Sequence, residues 1–236
     1  MQNSFDYQYN ESSRRLIFQN SKNRFNKIIL DTSLFETEIC LLGKEFNTDK
    51  SSYNLVGHRS GFSGFFYILF SQLKDKEINF AEIGIEKNAS IKLWRKFFNK
   101  AEIHGFEFHK EKIKRAIDDK LKNTFYHSID VENTNNIEES FSKINKKFDI
   151  IIDDSTHYFE HQINIIYSVK KFLKENGILI IEDIPKYRHD HDELNYYEKI
   201  KDIKDEFKQI FFVETDHINN YTASANNEKL LILIKN

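Results

Sequence analysis

The 236-residue chain carries 35 basic and 37 acidic side chains, a net charge of −2, and is 39% hydrophobic and 31% charged. That balance excludes an intrinsically disordered chain and supplies no basic field for nucleic acid or an anionic membrane. The lone Cys40 excludes an internal disulfide and a cysteine-based zinc site; no apolar run reaches a membrane span, and MQNSFDYQYNESSRR holds no signal-peptide core, so the expected setting is cytoplasmic.

In chain order, SLFETEICLLGKEF (33–46) and SGFFYILFSQLKDK (63–76) each carry an apolar stripe at helical spacing. They predict a helical N-terminal extension, residues 1–77, packed as a lid on the flank of a sheet formed by the rest of the chain. The polar stretch between them, NTDKSSYNLVGHRSG (47–61), reads as a loop. From residue 78 short apolar strands alternate with amphipathic helices. INFAEIGI (78–85) is the first strand, closed by Gly84. The helix NASIKLWRKFFNKA comes next, with Asn88 as its expected cap and Ile91, Trp94, Phe98 and Ala101 on one face.

EIHGFEF (102–108) and NTFYHSID (123–130) are the next strands, each followed by a helical segment. FDIIIDD (148–154), a helix over 158–177 ending at Gly177, and ILIIEDI (178–184) complete the series. After a further helix (193–207), QIFFVETDH and KLLILIKN are joined by a polar turn too short for a crossover, so they should pair antiparallel. YRHDHDE (187–193) reads as a substrate-side lid. The expected fold is therefore α/β: a doubly wound, Rossmann-like, mostly parallel sheet with an antiparallel C-terminal hairpin, spanning 78–236 and compact with its extension.

Ligands of such sheets bind beyond the carboxyl ends of the strands. That rule puts Glu82–Gly84, Glu107, Asp130, Asp153–Asp154 and Glu182–Asp183 along one rim. Any one of these acids could be a solvated strand end; five in succession are hard to assign to chance.

FAEIGIEKNAS and HGFEF resemble the first two motifs of the class I S-adenosylmethionine (SAM) methyltransferases. TDKSS with His58, IIDDSTH and IIEDI together resemble, more narrowly, the metal-dependent sugar O-methyltransferases of the mycinamicin and macrocin type. The resemblance covers about residues 46–185. It implies that Glu107 accepts from the two ribose hydroxyls and Asp130 from the adenine amino group, that Glu82 and Gly84 lie near the methionine amino group, and that Thr48, Lys50 and His58 close over the cofactor. Asp153 has two readings, support for the cofactor or a hold on the turn. The loop GIEKNAS keeps one glycine where the family's loop is usually glycine-rich. SAM has no phosphate to approach, so this departure counts against the rival reading, an NAD-dependent oxidoreductase.

Asp154, Glu182 and Asp183 end two strands expected to be neighbours about 4.8 Å apart. Three like charges there would repel, and a divalent cation, Mg²⁺ or another with a taste for oxygen, would relieve the conflict. A solvated acidic rim is the competing reading. His157 follows Asp154 by three residues and could take a proton from a metal-bound hydroxyl. The reaction expected is metal-assisted methyl transfer from SAM to a sugar hydroxyl, with Asp154 and His157 as its catalytic pair. Composition suggestive of an AT-rich genome favours a nucleotide-linked sugar for a surface polysaccharide. A catalytically silent binding module of the same fold is a further alternative, and assembly as a homo-oligomer is left open.

Overall fold

The computed structural model describes residues 4–5, 16–20, 23–54, 57–186, 192–221 and 229–236. Residues 187–191 of the expected lid (187–193) and most of the turn between the last two strands lie outside these residues, and Asp192 and Glu193, the rest of that lid, cap and open a helix.

The expected parallel strands are present as β4 (Asn79–Ile83), β5 (Glu102–Glu107), β6 (Thr124–Ser128), β7 (Phe148–Asp153) and β8 (Leu173–Ile184). The closing hairpin is β9 (Phe207–Asp216) and β10 (Lys229–Lys235). In space they run β9-β10-β8-β7-β4-β5-β6, with β10 antiparallel to both neighbours and β4 beside β7. Strand order therefore reverses between β4 and β7, which is where such a sheet opens a ligand crevice.

The sheet is apolar on both faces, as parallel strands covered by helices must be. Alternation assigns each residue to a face: Ile150, Ile152 and Ile180 join one core, Ile151, Leu179 and Ile181 the other. The first core contains α2 (Phe62–Phe70) and α3 (Ala89–Phe97), whose Phe66, Phe70 and Trp94 pack against Phe80 and Phe98 with ring centroids 5.4–6.0 Å apart. The second is covered by α5 (Thr134–Ser142), α6 (Phe159–Val169) and α7 (Glu193–Ile200).

The N-terminal extension contains its two expected helices, α1 (Glu38–Phe46) and α2, but it is not helical throughout. Ser4–Phe5 (β1), Leu16–Gln19 (β2) and Asn26–Asp31 (β3) are strands; β3 pairs parallel with β9, so the sheet has ten strands among the described residues. Two further expectations fail locally. Asn88 stands at the N-cap of α3 in a left-handed conformation (φ 64°), and its amide donates to Asp119 and Tyr126 rather than capping. Gly177 does not cap a helix: α6 ends at Val169 and a short 3₁₀ turn follows. Gly177 lies inside β8, where the pairing slips between Phe148 and Ile150. Among the described residues no helix is long and apolar enough to cross a membrane.

Candidate active site

At the carboxyl ends of β4 and β7 the backbones nearly touch. Gly84 has φ +90°, and a Cβ placed there would stand 2.1 Å from the carbonyl oxygen of Asp154. Only glycine satisfies both conditions, which explains why this one glycine survives in an otherwise glycine-poor loop. Two cavities meet at this crossing and share Gly84, Glu86, Asp154 and Ser155.

The first cavity, about 340 Å³, lies over β4, β5 and β6. Glu107 and Asp130 both line it, as do Phe108, His109 and Lys112. Glu107 Oε1 accepts from the His109 amide at 3.0 Å, and Lys112 Nζ stands 3.8 Å from its Oε2. The carboxylate is thus anchored at one oxygen and retains acceptor capacity at the other. Asp130 Oδ1 accepts from the Glu132 amide at 3.0 Å. Phe108, 61% exposed, adds an apolar wall that the sequence reading did not single out, although it directly follows the expected acid.

The second cavity, about 420 Å³, is lined by Thr48, Asp49, His58, His157 and Asp183 together with the shared residues. Asp154, His157 and Asp183 each present one ligand atom, all within 4.8 Å of one another. His157 Nε2 is 3.6 Å from Asp183 Oδ2, and both residues have left-handed backbone, φ 58° and 56°. Strain of this kind persists only where the surroundings hold it. Burial and the facing Asp154 carry the Asp183 pKa well above its ordinary range. Two carboxylates and an imidazole are a donor set that fits a divalent cation.

The other carboxylates meet elsewhere. Glu82, Asp154 and Glu182 belong to one face of the sheet by alternation, the face that α1 and α2 cover. Asn47 ends α1 in a left-handed C-cap (φ 56°), and the chain then turns inward, with the Ser63 amide donating to Lys50 O at 2.9 Å. The side chain of Lys50, 2% exposed, reaches this group: Nζ donates to Asp154 Oδ2 at 2.5 Å and Glu182 Oε2 at 2.8 Å, and lies 3.5 Å from Glu82 Oε1. Burial lowers the Lys50 pKa, yet Asp154, Glu182, Glu82 and Asp49 outweigh it and the net displacement is upward. Burial pushes Glu82 up to about 7 against the pull of Lys50, and raises Glu182 well above the usual carboxylate range.

The expected residues therefore divide. Glu107, Asp130 and Gly84 line the first cavity; Thr48, His58, His157, Asp154 and Asp183 line the second. Lys50 and Glu82 line neither, because they are buried against each other beneath the floor. Glu182, expected beside Asp183 as a metal ligand, faces the opposite way along the strand and is held by Lys50. Asp153 holds the turn, with Oδ1 accepting from the Ser155 amide at 3.2 Å and hydroxyl at 2.6 Å.

The family model described as "Methyltransferase domain" matches residues 87–229, more than half of the chain. The chain belongs to this methyltransferase-domain family. Among curated proteins, the 8-demethyl-8-(2-methoxy-alpha-L-rhamnosyl)-tetracenomycin-C 3'-O-methyltransferase of Streptomyces olivaceus is 25% identical over 122 residues, 49% of this chain and 30% of that protein. Among solved structures, the MycE methyltransferase from the mycinamycin biosynthetic pathway, in complex with Mg, SAH and mycinamycin VI, superposes with a TM-score of 0.62 at 14% identity, over 84% of this chain and 54% of that one. A putative caffeoyl-CoA O-methyltransferase from Staphylococcus aureus gives 0.51 at 15% identity, over 73% and 81% of the two chains. These structural likenesses are of fold, and this chain spans 54% of MycE and 30% of the curated relative's length.

Proposed function

We propose that this chain is a SAM-dependent, divalent-metal-assisted O-methyltransferase acting on a sugar hydroxyl, carried by a nucleotide-linked sugar destined for a surface polysaccharide and met in the cytoplasm. The observation that carries the reading is the meeting of two cavities at Gly84 and Asp154, one lined by Glu107 and Asp130, the other by the convergent Asp154, His157 and Asp183. The names of the relatives support it: one is a 3'-O-methyltransferase of a rhamnosyl-bearing tetracenomycin, the other was seen with Mg, SAH and a mycinamycin.

In this reading Glu107 accepts hydrogen bonds from the two ribose hydroxyls and Asp130 from the adenine amino group. Phe108 covers the adenine face, and Gly84 leaves its backbone open to the methionine end. Asp154 and Asp183 would hold the cation, which would supply Lewis-acid activation of the acceptor hydroxyl. His157 Nε2 takes the hydroxyl proton as the methyl group moves, a role worth on the order of 10²–10⁴ in rate. Thr48 and His58, expected to close over the cofactor, line the second cavity with His157 and Asp183 and in this reading bound the acceptor side instead, where orienting the two reactants contributes much of the acceleration.

Calorimetry with SAM, NAD⁺ and Mn²⁺ separately, followed by transfer of labelled methyl to a panel of nucleotide sugars with and without EDTA, tests the proposal. Transfer that EDTA abolishes is the expected result. Binding of NAD⁺ without SAM, or transfer indifferent to chelation, overturns it.

A further inference from the structure

Lys50 is the feature that the proposed chemistry leaves unused. Its ammonium is almost fully buried and is bonded to two carboxylates 104 and 132 residues away in sequence, with a third at 3.5 Å. A buried ammonium is tolerated only where it is paired, and three acids around one cation over-pair it. Asp154 belongs to both groups: one oxygen accepts from Lys50, and the same residue faces His157 and Asp183 across the second cavity. Glu182 Oε1, by contrast, has no hydrogen-bond partner among the described residues although it is buried. A carboxyl oxygen orphaned in this way, on the residue next to Asp183, is an unspent ligand.

From this we infer that Lys50 is a resident cation that sets the metal affinity of the site: it holds Asp154 and Glu182 in place when no metal is bound and competes with a divalent ion for their charge. This rests on the metal-assisted reading above. Two physical consequences oppose each other, which makes the inference testable. Without the ammonium, the buried acids repel and the metal-free protein loses stability. The same loss releases Glu182 and removes a positive charge a few ångströms from the cation, so metal binding strengthens. A residue with a purely structural role would weaken both.

The loop that carries Lys50 is built to deliver it. The Ser60 amide donates to Asp49 O at 2.7 Å and the Ser63 amide to Lys50 O at 2.9 Å, fixing the backbone on both sides of the residue. Gly43 of α1 lets this loop approach closely, since a Cβ there would stand 2.4 Å from the Ser51 Cβ.

The experiment compares wild type with Lys50→Met, Lys50→Gln and Lys50→Arg, reading Mn²⁺ affinity by calorimetry and Tm with and without Mn²⁺, in the absence of SAM and acceptor. The expected result is about tenfold or tighter Mn²⁺ binding in both neutral variants, with a lower metal-free Tm and a larger Mn²⁺-induced rise. Lys50→Arg, which keeps the charge, should stay within about threefold of wild type. Lys50→Gln, which retains a donor, serves if Lys50→Met does not fold. Adding Glu182→Gln to the neutral variant should remove much of the gain. If wild type binds Mn²⁺ and the neutral variants bind no more tightly, the inference fails and the metal reading stands. If neither wild type nor variants bind, both fail.

Discussion

His157 Nε2 stands 3.6 Å from Asp183 Oδ2, too far for a hydrogen bond but close enough for both to face one substrate atom. The two residues reach this position through left-handed backbone at the ends of different elements, one before α6 and one near the end of β8. In the proposed reaction an imidazole there serves as a ligand or as a base, and substitution separates the roles. His157→Ala should lower kcat by about 10²–10⁴ while leaving the Mn²⁺ dissociation constant within about threefold of wild type. A parallel loss of Mn²⁺ affinity in calorimetry would make the imidazole a ligand and remove it as base.

Gly84→Ala tests the crossing of β4 and β7. The new methyl would meet the Asp154 carbonyl at 2.1 Å, and the φ of +90° is unfavourable to any side chain. Backbone, rather than a flexible side-chain tip, must move. The expected loss is about 3 kcal/mol or more in urea unfolding, together with loss of SAM binding, since the strand ends that bound both cavities would separate. A variant of wild-type stability would show that the two strand ends are free to part.

Much of this site was legible because its strands are buried on both faces. FDIIIDD and ILIIEDI are short apolar runs ending in acids, and parallel pairing puts Ile152 opposite Ile180, which brings Asp154 beside Glu182. What the run alone could not show was the face to which each acid belongs. Period-two alternation sends Asp154, Glu182 and Glu82 to the α1–α2 side, and the left-handed turn at Asp183 breaks that alternation. The partner that meets the three acids, Lys50, lies in a polar loop without periodicity and more than a hundred residues from two of them, so its motif was readable and its position was not. The strands β2 and β3 were missed for a related reason. β2 is largely exposed, and β3 gains its place by pairing with β9, about 185 residues away in sequence, a non-local contact that local pattern does not report.

Glu107→Ala isolates the first cavity. Its Oε1 is committed to the His109 amide, and in the proposed complex the carboxylate also accepts from the ribose. Charge-assisted hydrogen bonds contribute about 1.5–3 kcal/mol, so SAM affinity should fall about 10–100-fold in calorimetry. Mn²⁺ affinity should not change, because the cluster of Asp154, His157 and Asp183 lies in the other cavity. Unaltered SAM binding would move the ribose elsewhere.

Glu82 gives a pH dependence with a definite sign. Burial lifts its pKa from 4.5 to about 7 despite the nearby Lys50. Between these values the unfolded chain has released a proton that the folded protein still holds, so stability falls as pH rises from about 4.5 to about 7 and the loss is complete above it. Asp153, raised to about 6 by burial, acts in the same direction. His127, lowered to about 4 by burial, acts oppositely below its ordinary 6.5, so the pH profile of wild type alone mixes the two. Glu82→Gln removes one contribution and leaves the others in common. In metal-free buffer with EDTA, the stability difference between variant and wild type should move in favour of the variant from pH 5 to pH 8. The span is up to about 3 kcal/mol, the equivalent of the displacement from 4.5 to about 7. Urea unfolding at four pH values measures it, and parallel profiles would show that Glu82 is already ionised in the folded protein, its charge held by Lys50.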